Sequence, residues 1–177
     1  MSQKSEIIIA GTGGQGQIVA AVILGEAAIA EGKNVVQTQT YGIAQRGGFS
    51  SAEVIISSGE ILYHQVVDPD MIIALNECVV SRYADTKAQV LYDSSLMTCD
   101  GRPNWKGLPF AKMAGEIGDI KVANLVAIGA MAALLPVVNF DSLAVAIRAK
   151  FSAAVADRNI KAVASGIKAA EKLIKRN

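Results

Sequence analysis

Ile7-Ile8-Ile9-Ala10-Gly11-Thr12-Gly13-Gly14-Gln15-Gly16 is the stretch whose reading decides the fold. A short β-branched run that meets glycine without polar alternation has the pattern of a central strand buried on both faces. Residues 15–30 follow with helix-forming composition, carrying Ile18, Ala21, Val22, Gly25 and Ile29 at helical spacing until Gly32 stops them. Residues 34–40 then read as a second strand. Strand, glycine turn, helix and strand predict a βαβ unit with the usual right-handed crossover.

Downstream, residues 51–57 read as a strand. The turn Ser58-Gly59-Glu60 leads to a further predicted strand at 61–67, a hairpin that makes the sheet mixed. Asp68-Pro69-Asp70 punctuates the start of a buried strand at 71–75, followed by a helix at 76–85 and a strand at 89–92. Residues 94–107 contain Gly101, Pro103 and Gly107 and read as loop. The last third is helical. A helix at 122–135 stops at Pro136, Asp141 caps another that runs to about Phe151, and Ile160, Val163, Ile167 and Ile174 lie on one face of the last. The lysines Lys161, Lys168, Lys172 and Lys175 fall largely elsewhere and read as a solvated face that suits the helix dipole. The expected architecture is α/β: a three-layer sandwich around a mixed, largely parallel sheet with a helical C-terminal third, one domain over residues 1–177. The helix at 122–135 is apolar all round and is expected to be buried, in the core or under a partner, and the isolated chain is expected to self-associate through it as a homodimer.

Composition narrows the chemistry. With 177 residues the chain can bury roughly 70% of its unfolded surface without covalent staples. Its two cysteines, Cys78 and Cys99, form no CxxC pattern, which argues against a zinc, dithiol or iron–sulfur site and for reduced, partly buried thiols. A net charge of +1 and an aromatic content of 5% leave neither a basic footprint nor stacking platforms for nucleic acid. The longest apolar run, 125–135, falls short of the roughly 20 residues that span a bilayer. The run at 7–10 is too short for a signal peptide, so a soluble, cytoplasmic protein is expected.

Three constellations bear on function. Gly11, Thr12, Gly13, Gly14, Gln15 and Gly16 satisfy GxGxxG between a strand and a helix, where glycines permit positive φ and clear the helix-start N–H groups for a phosphate. A dinucleotide site also wants a carboxylate at the end of the second strand. That strand ends Gln37-Thr38-Gln39-Thr40, and the nearest carboxylate, Glu31, precedes it. The alternative to a phosphate loop is a tight turn that needs glycine only for packing. Tyr41-Gly42-Ile43-Ala44-Gln45-Arg46-Gly47-Gly48 lies on the same carboxyl-terminal sheet edge. Arg46 there either reaches an anion bound at the turn or closes an interface by pairing with a carboxylate. His64, the single histidine, sits in a predicted strand as a partly buried polar residue, and no histidine triad or multi-histidine metal site can be built. Asp68 and Asp70 read as turn formers.

Together with Glu31-Gly32-Lys33, Pro69-Asp70, Leu75-Asn76, Asn124 and Gly129, the glycine turn and the Arg46-Gly47-Gly48 run resemble the gamma subunit of 2-oxoacid:ferredoxin oxidoreductases, the pyruvate, 2-oxoglutarate, 2-oxoisovalerate and indolepyruvate family. The resemblance spans nearly the whole chain. It implies a complex that oxidatively decarboxylates a 2-oxoacid with coenzyme A to an acyl-CoA and reduces ferredoxin. It also implies thiamine diphosphate, magnesium and iron–sulfur clusters on the alpha, beta and ferredoxin-like delta subunits, with none held by this chain. In agreement, Asp100-Gly101 is the nearest fragment to a thiamine diphosphate motif and lacks the preceding glycine. With 2-oxoglutarate as the first expectation for the substrate, the chain is expected to have no catalytic residue or metal ligand of its own. It is expected to position coenzyme A or act structurally, with Gly11, Thr12, Gly13, Gly14, Gln15, Gly16, Arg46, Gly47 and Gly48 as the binding candidates by physical type and edge position. The alternatives are a stand-alone NAD- or FAD-binding oxidoreductase and a purely structural subunit without a ligand.

Overall fold

A computed structural model describes residues 4–41, 48–99 and 101–175. The strands are β1 (Lys4–Thr12), β2 (Asn34–Tyr41), β3 (Phe49–Ser57), β4 (Met71–Ala74), β5 (Gln89–Asp93) and β6 (Trp105–Leu108). The helices are α1 (Gln17–Ala30), α2 (Cys78–Arg82), α3 (Phe110–Ile117), α4 (Ala123–Leu134), α5 (Phe140–Lys150) and α6 (Ala153–Ile174). The strands form one mixed sheet in the order β2-β3-β1-β4-β5-β6. β1, β4, β5 and β6 are parallel neighbours, and β3 is antiparallel to both β1 and β2.

β1 is central and buried on both sides, as its apolar run predicts. Ile7 and Ile9 enter one core cluster with residues of α1, α3, α4, α5 and α6, while Ile8 and Ala10 enter the other. The second face carries a thinner layer: Val79 of α2 with Met97, Cys99 and Trp105. The result is an α/β sandwich with a helical C-terminal part.

Five expectations are corrected. The first strand, helix and second strand do form, and β2 runs parallel to β1, but β3 pairs between them, so the crossover skips a strand. The hairpin that makes the sheet mixed is β2–β3. Residues 61–67 are irregular instead of a strand, because carboxylates take the N–H groups a sheet neighbour would need: Glu6 accepts from Val67 N (2.7 Å) and Asp68 N (3.1 Å), and Glu53 from Val66 N (3.0 Å). The loop read at 94–107 yields the parallel strand β6. The helix read at 76–85 shortens to α2, and the cap of α5 is Asn139, whose side chain accepts from Ser142 N, with Asp141 in the first turn.

α4 is enclosed by its own chain. Gly129 and Gly166 let α4 and α6 touch: a Cβ on Gly129 lands 2.2 Å from Val163 O, and one on Gly166 lands 2.0 Å from Val126 O. The expected self-association through α4 therefore has no free surface. Ile160, Val163 and Ile167 of α6 pack on the core, whereas Ile174 is exposed.

Candidate functional site

The glycine turn is built by side chains on three neighbouring elements. Gly14 and Gly16 have φ of 96° and 76°, the left-handed region that glycine occupies without a Cβ penalty. Gly16 is the N-cap of α1 and has no side-chain cap bond, which leaves the first helical turn without a side-chain acceptor. The Gln15 amide clamps the base of the turn: its Oε1 accepts from Thr12 N (2.8 Å) and Thr12 Oγ1 (3.1 Å), and its Nε2 donates to Leu75 O (2.8 Å). Gln17, also buried, donates from Nε2 to Thr12 O (2.7 Å). Gly11 is needed for room, since a Cβ there falls 2.4 Å from Gln15 Oε1.

Asn124, buried at the start of α4, donates from Nδ2 to Gly16 O (2.9 Å) and accepts at Oδ1 from Leu125 N (2.9 Å). A Cβ on Gly16 would lie 2.4 Å from that Nδ2. Gly13 N donates to Gly48 O (3.2 Å), so the turn reaches the C-terminal end of the second candidate run. Arg46 and Gly47 lie outside the described residues.

Sheet topology places a crevice at this edge. α1 leaves β1 toward one face and α2 leaves the adjacent parallel strand β4 toward the other, as their separate core clusters show. Such a reversal opens a crevice at the carboxyl ends of the two strands. The Gln15–Leu75 bond closes the floor of that crevice. Above it lies a cleft of about 220 Å³, lined by Gly14, Gln15, Leu75, Asp93, Lys121 and Asn124 among others. Its lining offers an apolar wall, part of the glycine turn and one lysine.

Asp93, which the sequence reading left without a role, is buried and committed to structure. Its Oδ2 accepts from Ala111 N (2.8 Å) at the start of α3, where Pro109 supplies no side-chain cap, and its Oδ1 accepts from Ser95 N (3.0 Å). Its position at a strand end followed by two serines was the available signal. Burial pushes the Cys78 thiol up, and its Sγ donates to Gly11 O (3.5 Å), so this cysteine lacks the thiolate character of a nucleophile. His64 is exposed in the irregular segment packed on Glu6, at the other end of β1 from the glycine turn. Among the described residues no group of three His, Cys, Asp or Glu side chains is placed to hold a metal. No described helix is long and apolar enough to cross a membrane.

Residues 6–169 match the pyruvate ferredoxin/flavodoxin oxidoreductase family. The chain belongs to that family. It is 35% identical to the 2-oxoglutarate synthase subunit KorC of Methanocaldococcus jannaschii, over 98% of this chain and 97% of that one. It is 34% identical to the ketoisovalerate oxidoreductase subunit VorA of Methanothermobacter thermautotrophicus, over 89% of this chain but 35% of the relative. The solved gamma subunit of a keto/oxoacid ferredoxin oxidoreductase from Geobacter sulfurreducens superposes with a TM-score of 0.82 at 38% identity, covering 95% of this chain and 99% of that one. The protein is thus the gamma subunit of a 2-oxoacid:ferredoxin oxidoreductase, a component of a multisubunit enzyme.

Proposed function

We propose that this gamma subunit serves a complex that oxidises 2-oxoglutarate, and that within it the chain positions coenzyme A and performs no bond-making step itself. The observation that carries the reading is the glycine turn, held open at the carboxyl edge of a strand-order reversal with an uncapped helix start above it. Unpaired N–H groups and the positive end of the α1 dipole favour a phosphate oxygen. The apolar wall of the neighbouring cleft suits the uncharged parts of a long carrier. Arg46, five residues beyond the end of β2 in sequence, supplies a guanidinium able to bind a phosphate through two parallel hydrogen bonds.

The described residues favour positioning over chemistry. Gln15 spends its amide on the turn, Asn124 divides its amide between Gly16 and its own helix start, Asp93 gives one oxygen to the α3 start and the other to Ser95, and the Cys78 thiol is held protonated. Coenzyme A would enter as the acyl acceptor. Decarboxylation and electron transfer would belong to thiamine diphosphate, magnesium and iron–sulfur clusters on alpha, beta and ferredoxin-like delta subunits. The substrate assignment rests on the match to a 2-oxoglutarate synthase subunit along nearly the full length of both chains, whereas only about a third of the ketoisovalerate relative is matched.

The test is Arg46→Ala in the assembled complex. The expected result is an apparent KM for coenzyme A raised by about tenfold, the loss of one charge-assisted contact, with an unchanged KM for the 2-oxoacid. An unchanged coenzyme A constant together with a dissociating complex would make Arg46 an interface residue.

A further inference from the structure

We propose that Lys121 is the cation that receives a phosphate of coenzyme A at the cleft, and that the ion pair of Asp119 with Arg158 holds it in place; the proposal rests on the coenzyme A reading above. Lys121 belongs to a single 3-10 turn, Ile120–Val122, between α3 and α4. It lines the same cleft as Gly14 and Gln15 of the glycine turn, so the lysine and the turn border one cavity. Two charged side chains line that cavity, Asp93 and Lys121. Asp93 is buried, with its oxygens taken by Ala111 N and by Ser95 N and Oγ. Lys121 is exposed and forms no ion pair among the described residues, so the uncommitted charge of the cleft is positive. The lining also includes Leu96 and Ile120, which leave 53% and 62% of their surfaces exposed. Exposed aliphatic side chains beside one cation suit a ligand that joins an uncharged stretch to an anionic group, as a pantetheine arm joins a diphosphate.

A lysine on a three-residue turn is only as well placed as the turn itself. Asp119 anchors it from both sides. Its Oδ1 accepts from Lys121 N (3.0 Å), and its Oδ2 pairs with Arg158 Nη2 of α6 at 3.1 Å. One carboxylate thus ties the backbone of Lys121 to the longest helix, which α4 meets through the close contacts of Gly129 and Gly166. Stability explains this pair poorly. Both partners are partly exposed, a setting in which ion pairs contribute little, and Arg158 Nε is left buried without a hydrogen-bond partner, which is unfavourable. What the pair secures is the placement of the turn that carries Lys121.

The experiment uses the assembled complex. Lys121→Met removes the charge and keeps most of the aliphatic length; the expected result is an apparent KM for coenzyme A raised by about tenfold, with the KM for the 2-oxoacid unaltered. Lys121→Arg keeps the charge and is expected to stay within about threefold of the unaltered complex. Arg158→Ala is expected to raise the coenzyme A constant by about threefold to fivefold without lowering kcat, and Arg158→Lys to restore it, a split that loss of stability does not produce. Should Lys121→Met fail to assemble, labelling of the unaltered complex with acetic anhydride decides, because bound coenzyme A is expected to slow acetylation of Lys121 several-fold. Hydrogen exchange at residues 12–18 reports separately on whether coenzyme A reaches the glycine turn. Turn amides protected by coenzyme A, together with an unchanged constant in Lys121→Met or unslowed acetylation of Lys121, overturn the proposal and leave the coenzyme A reading standing. Turn amides that gain no protection overturn both. A constant raised by Lys121→Met but unmoved by Arg158→Ala overturns the positioning role of the ion pair.

Discussion

Glu6 shows how one side chain can organise a segment far along the chain. It lies in β1 with 1% of its surface exposed, yet it carries a carboxylate. Burial pushes its pKa up, but hydrogen bonds from Lys4 Nζ, Tyr63 OH and the N–H groups of Val67 and Asp68 together outweigh burial and hold the group at about 2. A carboxyl whose pKa falls on folding stabilises the fold above its unfolded value of 4.5, and that contribution disappears as pH drops from about 4.5 to about 2. At neutral pH the contribution is about 3 kcal/mol. Glu6→Gln removes the titrating group and leaves donors without an acceptor, so urea titrations should show lower stability at pH 7 and a flatter pH dependence between pH 5 and 2. A variant with the same acid slope as the unaltered chain would place the titration elsewhere.

At the level of elements, the α4–α6 crossing sets the strictest steric demand. The atoms that Cβ groups on Gly129 and Gly166 would strike are backbone oxygens of the facing helix, which cannot rotate aside. Gly166→Ala is therefore expected to cost about 3 kcal/mol, the upper part of the range for overpacking, although alanine is the better helix former. Denaturant midpoints measure it, and a neutral or stabilised variant would mean the helices can separate freely. The same geometry explains what the sequence made legible. β1, α1 and α4 announce themselves because their apolar pattern is local and strong. Residues 61–67 also have a strand-like local pattern, but the decisive partner, Glu6, lies more than fifty residues away. β6 was hidden by the Gly107 that makes it possible: a Cβ there would lie 2.7 Å from the Tyr92 ring, so glycine marks a close approach and not a loop. The glycine turn itself was readable from spacing, whereas its floor and lid were not, since Gln15 bonds to Leu75 and Asn124 reaches Gly16 across 108 positions.

Over the whole molecule, the two core clusters share the same strands. Ile7 and Ile9 serve one face of β1, and Ile8 and Ala10 serve the other; Ile72 and Ile73 divide β4 in the same way. Neither face can melt without stripping the strands that hold the other, which ties the helical layer to the thin layer around Trp105, and the two layers are expected to unfold as one cooperative unit. The chain offers a direct readout, because Trp105 is its one tryptophan and lies in the smaller cluster, 6.2 Å from the Tyr92 ring, whereas five of the six helices pack on the larger. Tryptophan fluorescence and far-ultraviolet circular dichroism are therefore expected to give coincident urea transitions, with the same midpoint and the same slope. A fluorescence transition at lower urea would show the thin face unfolding first and would divide the chain into two independently stable layers. Coincidence matters for the cleft beside the glycine turn as well. Its walls come from both clusters' connections, with Gly14 leading into α1, Leu75 leading into α2 and Asp93 ending β5 and capping α3. A single transition means that the glycine turn keeps its geometry until the entire fold gives way.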